Sequence, residues 1–308
     1  MTRRDFFRNA ALSTAGVYFP FAPSWQSWIP PFYIFSKHLQ FLNYTDMADA
    51  VAETGFDGIE LTVRPGGHVE PEAVTERLPA AIQAIRSTGL KSDMMVTAIK
   101  GLDEPLTRSV LETASTQGVI HYRLGYLRFS DDQDIFQSLK FYNSQMKELA
   151  AFNADLDLTG SYQNHSGTMV GAEIWDLYHL LEGIPSENLG CQYDIRHATV
   201  EGSTSWTRGL QLIRSKITSI VLKDFVWEKK NGEWRVKNVP LGSGMVDFKK
   251  YFDLLKSYQI QVPFTIHYEY DLYGAEHGHR DINASQYPMI FDALRKDLQY
   301  ARDLWQDG

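Results

Sequence analysis

The chain has 308 residues, 44% hydrophobic and 22% charged, with a formal net charge of −8. That balance is ordinary for a folded globular protein and argues against a nucleic-acid binder, which needs clustered Lys and Arg to meet phosphates. Cys191 is the only cysteine, which excludes an intramolecular disulfide and a cysteine-built zinc site.

In chain order, the first feature is Thr2-Arg3-Arg4-Asp5-Phe6-Phe7-Arg8, which is similar to a twin-arginine export signal: paired arginines, an aromatic position, then a basic residue. The weakly apolar stretch from Ala10 to Ala22 is too short to cross a bilayer, which takes about 20 apolar residues. Residues 1–30 therefore read as an export signal and linker, and the protein as periplasmic or otherwise exported. No later segment reads as membrane-spanning.

From residue 31 to 308 the periodicity alternates between short apolar runs and helical spacing, as in strand–helix units. Strands are expected at Phe32–Phe35, Gly58–Val63, Ser92–Thr97, Val119–Leu124, Leu156–Tyr162, Leu189–Asp194, Ile217–Leu222 and Val262–His267. Helices are expected between them: Asp46–Thr54, a long one opened by Pro71 and closed by Gly89, Pro105–Gln117, Asp134–Phe152, Ala172–Leu181, Trp206–Ser215 and Asp247–Tyr258. A last helix, Ala284–Trp305, closes the chain. Eight such units match a single (β/α)8 TIM barrel in the α/β class. One insertion, Val226–Val236, carries Asn231-Gly232 between alternating aromatic and charged residues and predicts a β-hairpin after strand seven.

Barrel enzymes build their sites at the C-terminal ends of the strands, and here those ends are polar. They read Ser36-Lys37-His38, Glu60 with Arg64, His121 with Arg123, Gln163-Asn164-His165, Asp194-Ile195-Arg196-His197, Lys223-Asp224 and His267-Tyr268-Glu269. The segments Pro65-Gly66-Gly67-His68 and Leu241-Gly242-Ser243-Gly244 are weak candidates for a phosphate cradle and read better as turns.

With these segments in view, the chain resembles the xylose isomerase-like, sugar phosphate isomerase/epimerase superfamily over everything after residue 32. The resemblance is carried by Gly55-Phe56-Asp57-Gly58-Ile59-Glu60-Leu61, Tyr162-Gln163-Asn164-His165-Ser166-Gly167, Asp194-Ile195-Arg196-His197, Val221-Leu222-Lys223-Asp224 and the Glu269 strand. It implies a divalent metal ion held after strand five, after strand six, on strand seven and on strand eight. Those positions fall on Gln163, Asp194, Val221 and Glu269, so one charge and one ligand of the usual set are missing. Mn, Mg or Zn on Gln163, Asp194 and Glu269, with His165 or His267 completing the set, is one reading. The other is a site without metal, in which Lys223 supplies the positive charge.

The chemistry implied is proton abstraction next to a carbonyl, giving an enediolate, on an unphosphorylated sugar or sugar derivative. Glu269, Lys223, His197 and Glu60 are the catalytic candidates. His38, Arg64, Arg123, His165, Arg196 and His267 are the substrate-binding ones. The leading function is a sugar isomerase or epimerase. The alternatives are a lyase or hydratase acting on 3-keto glycosides by β-elimination, and a sugar-binding protein without catalysis. The expected partner is a small carbohydrate, not nucleic acid, and a homo-oligomer is left open.

Overall fold

The computed structural model describes residues 28–307, so the export-signal segment lies outside the described residues. Eight parallel strands close into a barrel: β1 (Phe32–Phe35), β2 (Gly58–Thr62), β3 (Lys91–Val96), β4 (His121–Arg123), β5 (Thr159–Gln163), β6 (Leu189–Asp194), β7 (Ile217–Leu222) and, after a hairpin, β10 (Phe264–Ile266). β10 pairs with both β1 and β7, which closes the cylinder in parallel register. The hairpin is β8 (Asp224–Lys230) with β9 (Glu233–Val239), antiparallel and outside the barrel. Its turn residues Asn231 and Gly232 both have positive φ, 53° and 87°, the type I′ geometry that Asn-Gly favours.

The helices are α1 (Tyr44–Thr54), α2 (Val74–Ser87), α3 (Thr107–Thr116), α4 (Ile135–Asp155), α5 (Ile174–Leu180), α6 (Ile195–Gly202), α7 (Trp206–Ile213), α8 (Phe248–Ser257) and α9 (Tyr287–Asp307). α1 starts two residues before the expected Asp46, because Asn43 is the cap and its side chain accepts the Asp46 N–H. The break after Pro71 is a separate 3-10 turn that precedes α2. α6 is an element the periodicity does not announce. Its cap is Asp194, the last residue of β6, whose carboxylate accepts the His197 N–H. Arg196 and His197 therefore sit in the first turn of a helix rather than trailing from a strand.

Alternation along each strand sorts the side chains between two compartments. Ile59, Leu61, Tyr122, Tyr162, Cys191, Tyr193, Ile220, Leu222 and Ile266 face the helices and join the hydrophobic core between sheet and helices. Burial of each such side chain contributes about 1.5–3 kcal/mol, so this shell holds the cylinder shut. The alternate positions, including Glu60, Gln163, Gln192, Asp194 and Thr265, are polar, buried and turned into the lumen. At the N-terminal end, Trp28 lies edge-on to Trp305 and its carbonyl accepts the Trp305 indole N–H, so the packed barrel begins a few residues before residue 31. No helix among the described residues is long and apolar enough to cross a membrane.

Candidate active site

The upper lumen is organised around the ammonium of Lys223, which follows β7 and is almost fully buried. Its Nζ lies 2.8 Å from Asp194 Oδ2, 2.8 Å from His197 Nε2 and 3.6 Å from Glu269 Oε1. Asp194 is fully buried, which is tolerable only because every face of the carboxylate is matched. Besides Lys223 it accepts Gln163 Nε2 at 2.8 Å and the His197 backbone N–H at 3.1 Å. Gln163 is fixed from its other end, where Oε1 accepts Arg123 Nη1 at 2.8 Å and the Tyr126 hydroxyl at 2.7 Å. A continuous chain of bonds thus runs from Arg123 through Gln163 and Asp194 to Lys223 and His197.

Glu269 is the acidic group of this set that faces outward, with 29% of its side chain exposed. Burial raises its pKa, but the charges of Lys223 and Lys37 outweigh that and hold the carboxyl well below the usual range. Lys37 Nζ lies 4.0 Å from Glu269 Oε1. Burial pulls the Lys37 pKa down; Glu269 opposes that, and the charges of Lys223, Arg64 and Arg123 add to it. His197 is kept neutral, its pKa well below 6.5, by burial and by the charges of Lys223, His165 and Arg196. Its Nδ1 lies 2.8 Å from Ser166 Oγ and 2.8 Å from Arg196 Nη1, so both ring nitrogens are engaged. His197, expected as a catalytic group, thus bridges Lys223 to Ser166 and Arg196. Arg196 reaches the hairpin, donating from Nη2 to Asn238 Oδ1 at 2.6 Å. His165 packs its ring on His197 at 4.0 Å between centroids and stays half-buried at the wall of the site.

One layer deeper lies a separate pair. Glu60 Oε1 accepts Gln192 Nε2 at 2.7 Å, and Glu60 Oε2 lies 3.2 Å from His267 Nε2. Gln192 is two residues before Asp194 on β6, which sets this pair one lumen layer below Lys223. Burial pushes the Glu60 carboxyl up to about 7, against the pull of the Gln192 hydrogen bond and of Arg123 and Arg64. His267 stacks on Phe35 at 4.3 Å, and the guanidinium groups of Arg64 and Arg123 lie 5.4 and 5.9 Å from the same Phe35 ring. Glu60, expected as a catalytic group, and His267, expected to bind substrate, are thus paired with each other below Lys223. His38 is fully buried, and its Nε2 accepts the Tyr268 N–H at 3.0 Å, just beyond the end of β10.

The expected metal set does not fit. The carbonyl of Gln163 is turned to Arg123 and Tyr126, and the Gln163 amide N–H, which cannot ligate, faces Asp194. The centre on which Asp194 and Glu269 converge is taken by Lys223, and a cation beside that ammonium is repelled. Among the described residues no group of three His, Cys, Asp or Glu side chains is arranged to hold a metal ion.

Asp224, part of the Lys-Asp segment, has a different task. Its carboxylate accepts four backbone N–H groups, from Phe225 at 2.8 Å, Gly242 at 3.0 Å, Gly244 at 2.8 Å and Val246 at 3.1 Å. The Gly242–Gly244 turn is therefore committed to this clamp rather than to a phosphate, and Gly244 leaves no room for a Cβ between Asp224 and the Phe225 carbonyl. Lys37 and Tyr126 are site residues that sequence reasoning passed over. Lys37 stood beside His38 in a recognised strand end, whereas Tyr126 follows β4 with no charge to mark it. Tyr126 also lines a cleft of about 570 Å3 beside the mouth, walled by Lys100, Glu104, Arg128, Phe141 and Tyr142.

A family model for the xylose isomerase-like TIM barrel matches residues 48–287, and the chain belongs to that family. Solved structures of the same fold include a D-psicose 3-epimerase with D-tagatose from Clostridium cellulolyticum H10, 10% identical with a TM-score of 0.65 over 90% of this chain and 99% of that one. The 3-keto-D-glucoside 4-epimerase of E. coli, in its apo form, is 13% identical with a TM-score of 0.61 over 88% and 100%. A probable 3-DHS dehydratase involved in petrobactin synthesis, from Bacillus anthracis, is 15% identical with a TM-score of 0.63 over 87% and 98%. At these identities the likeness is one of fold. No protein of curated function matches the chain.

Proposed function

We propose that this protein is an enzyme that moves a proton at a carbon next to a carbonyl in an unphosphorylated sugar or sugar derivative, isomerising or epimerising it through an enediolate. The observation that carries the reading is the partly exposed Glu269 carboxylate beside the buried Lys223 ammonium at the barrel mouth. Glu269 takes the proton from carbon, and the released electron pair moves onto the carbonyl oxygen, where Lys223 N–H stabilises the charge. The Glu269–Lys223 contact, at 3.6 Å, is looser than the Asp194–Lys223 contact at 2.8 Å, so a substrate oxygen displaces Glu269 first. Losing that partner raises the basicity of Glu269 at the moment it is needed. Lys37, 4.0 Å from Glu269, is placed to return the proton on a second face or carbon. Arg64, Arg123, Arg196 and His165 surround the mouth as hydroxyl-binding groups.

A second reading, elimination from a 3-keto glycoside, is favoured by the cleft beside Tyr126, whose exposed Phe141 and half-buried Tyr142 offer a second ring a stacking wall. The Arg3-Arg4 segment supports the further proposal that the protein is exported, which fractionation of cells expressing the full chain tests. The deciding experiment for the chemistry is solvent-deuterium entry into free ketoses and 3-keto glycosides, followed by NMR. Exchange in the wild type that falls about 100-fold or more in Glu269→Gln supports the reading. Absence of exchange and turnover across the panel, with sugar binding intact, favours the non-catalytic binder.

A further inference from the structure

We infer that Lys223 is a covalently built-in substitute for a divalent cation, and that removing it converts this set of residues into a metal site. An ammonium has three N–H donors and no acceptor. Lys223 is matched to two carboxylate acceptors, Asp194 Oδ2 and Glu269 Oε1, and lies beside His197 Nε2. The two shorter contacts, both 2.8 Å, are hydrogen-bond lengths, beyond the roughly 2.0–2.6 Å at which oxygen and imidazole ligands hold metal ions. Two carboxylates, with water completing the shell, are nevertheless ligands of the type that manganese takes. Their common centre is held by a side chain of the protein.

The placement follows from strand geometry. Val221, near the end of β7, pairs with Asp194 across the sheet and is turned into the lumen. Lys223 is two residues further on, so alternation turns it to the same side. A chain that carries valine at the deeper position and lysine at the next brings one positive charge into the lumen without an ion. Asp224, the next residue, is pinned by four backbone N–H groups, which fixes the backbone from which the ammonium reaches.

Without Lys223, Asp194 and Glu269 remain two neighbouring acids, with Lys37 as the remaining nearby ammonium on Glu269. Like charges at such a site must be protonated or matched by a cation. The test needs no substrate, so it stands or falls apart from the sugar chemistry. Wild type, Lys223→Ala and Lys223→Met, all as the full chain, are titrated with Mn2+ and Zn2+ by calorimetry, with metal content read by mass spectrometry. The expected result is no stoichiometric metal in the wild type and a melting temperature unmoved by chelator. Lys223→Ala takes up about one ion per chain, at least 100-fold tighter than wild type, and its melting temperature rises with added Mn2+. Lys223→Met, which fills the space without charge, gains much less. Asp194→Ala in the Lys223→Ala background abolishes the gain. Stoichiometric, chelator-removable metal in the wild type overturns the inference. So does a Lys223→Ala variant that binds no ion, or that folds neither with nor without one.

Discussion

Glu60 and His267 make a buried acid–imidazole pair whose protonation is written into stability. The carboxyl of Glu60 is pushed from 4.5 to about 7, chiefly by burial, so between those values the unfolded chain releases a proton that the folded chain keeps. Stability from this group is fully present below about 4.5 and is lost as pH rises through about 7. Integrated over the shift, the loss is about 3 kcal/mol. Glu60→Gln mimics the protonated acid: its carbonyl can accept from Gln192, and its amide N–H can donate to the His267 ring nitrogen, as the protonated carboxyl does. The variant should therefore match the wild type at about pH 4 and exceed it above about pH 8, by up to about 3 kcal/mol. The buried histidines titrate the other way; His267, which touches Glu60, is held neutral chiefly by its own burial, which both proteins share. Denaturant unfolding of both proteins across that range is the assay. Parallel pH profiles would falsify the argument, since they require Glu60 to titrate alike in folded and unfolded chains.

Asp224→Ala strands four backbone N–H groups and should destabilise the protein by about 3–5 kcal/mol, with hydrogen exchange in the 241–246 turn rising first; a loss under about 1 kcal/mol refutes the clamp. Phe141→Ala should weaken binding of a glycoside about 5- to 30-fold while leaving a free monosaccharide unaffected. Equal effects on both ligands would detach the cleft from substrate recognition. Asn238→Ala should loosen Arg196 and raise KM several-fold with a smaller change in kcat, whereas an unchanged KM removes Asn238 from the site.

The barrel was legible because its signals are local. Gly58-Ile59-Glu60-Leu61 and Leu189-Gly190-Cys191 announce strands by their apolar runs, and Asn231-Gly232 announces its turn by backbone chemistry. Strand ends also named most of the residues that converge, including Asp194, Lys223, Glu269 and Gln163. What sequence could not supply was depth. Alternation says that Glu60, His267, Gln192 and Asp194 all face the lumen, but not which of them share a layer. Height depends on strand stagger, a property of the closed barrel rather than of any one strand. Orientation was hidden for the same reason. Gln163 reads equally well as a ligand or as a spacer until Arg123 and Tyr126 capture its carbonyl. α6 was missed because Asp194 ends a strand and caps a helix at once, leaving no loop between.

The hairpin behind β7 ties the mouth to the solvent-exposed rim. Cross-strand pairing places Phe225, Trp227 and Lys229 on one face with Asn238, Val236 and Trp234. At the root of that face Asn238 grips Arg196 and donates to the Glu269 carbonyl. At the tip, Trp234 stands in solvent, four residues and about 13 Å of extended strand away. One continuous two-stranded ribbon therefore joins the most exposed aromatic of the hairpin to the residue that holds the arginine of the mouth.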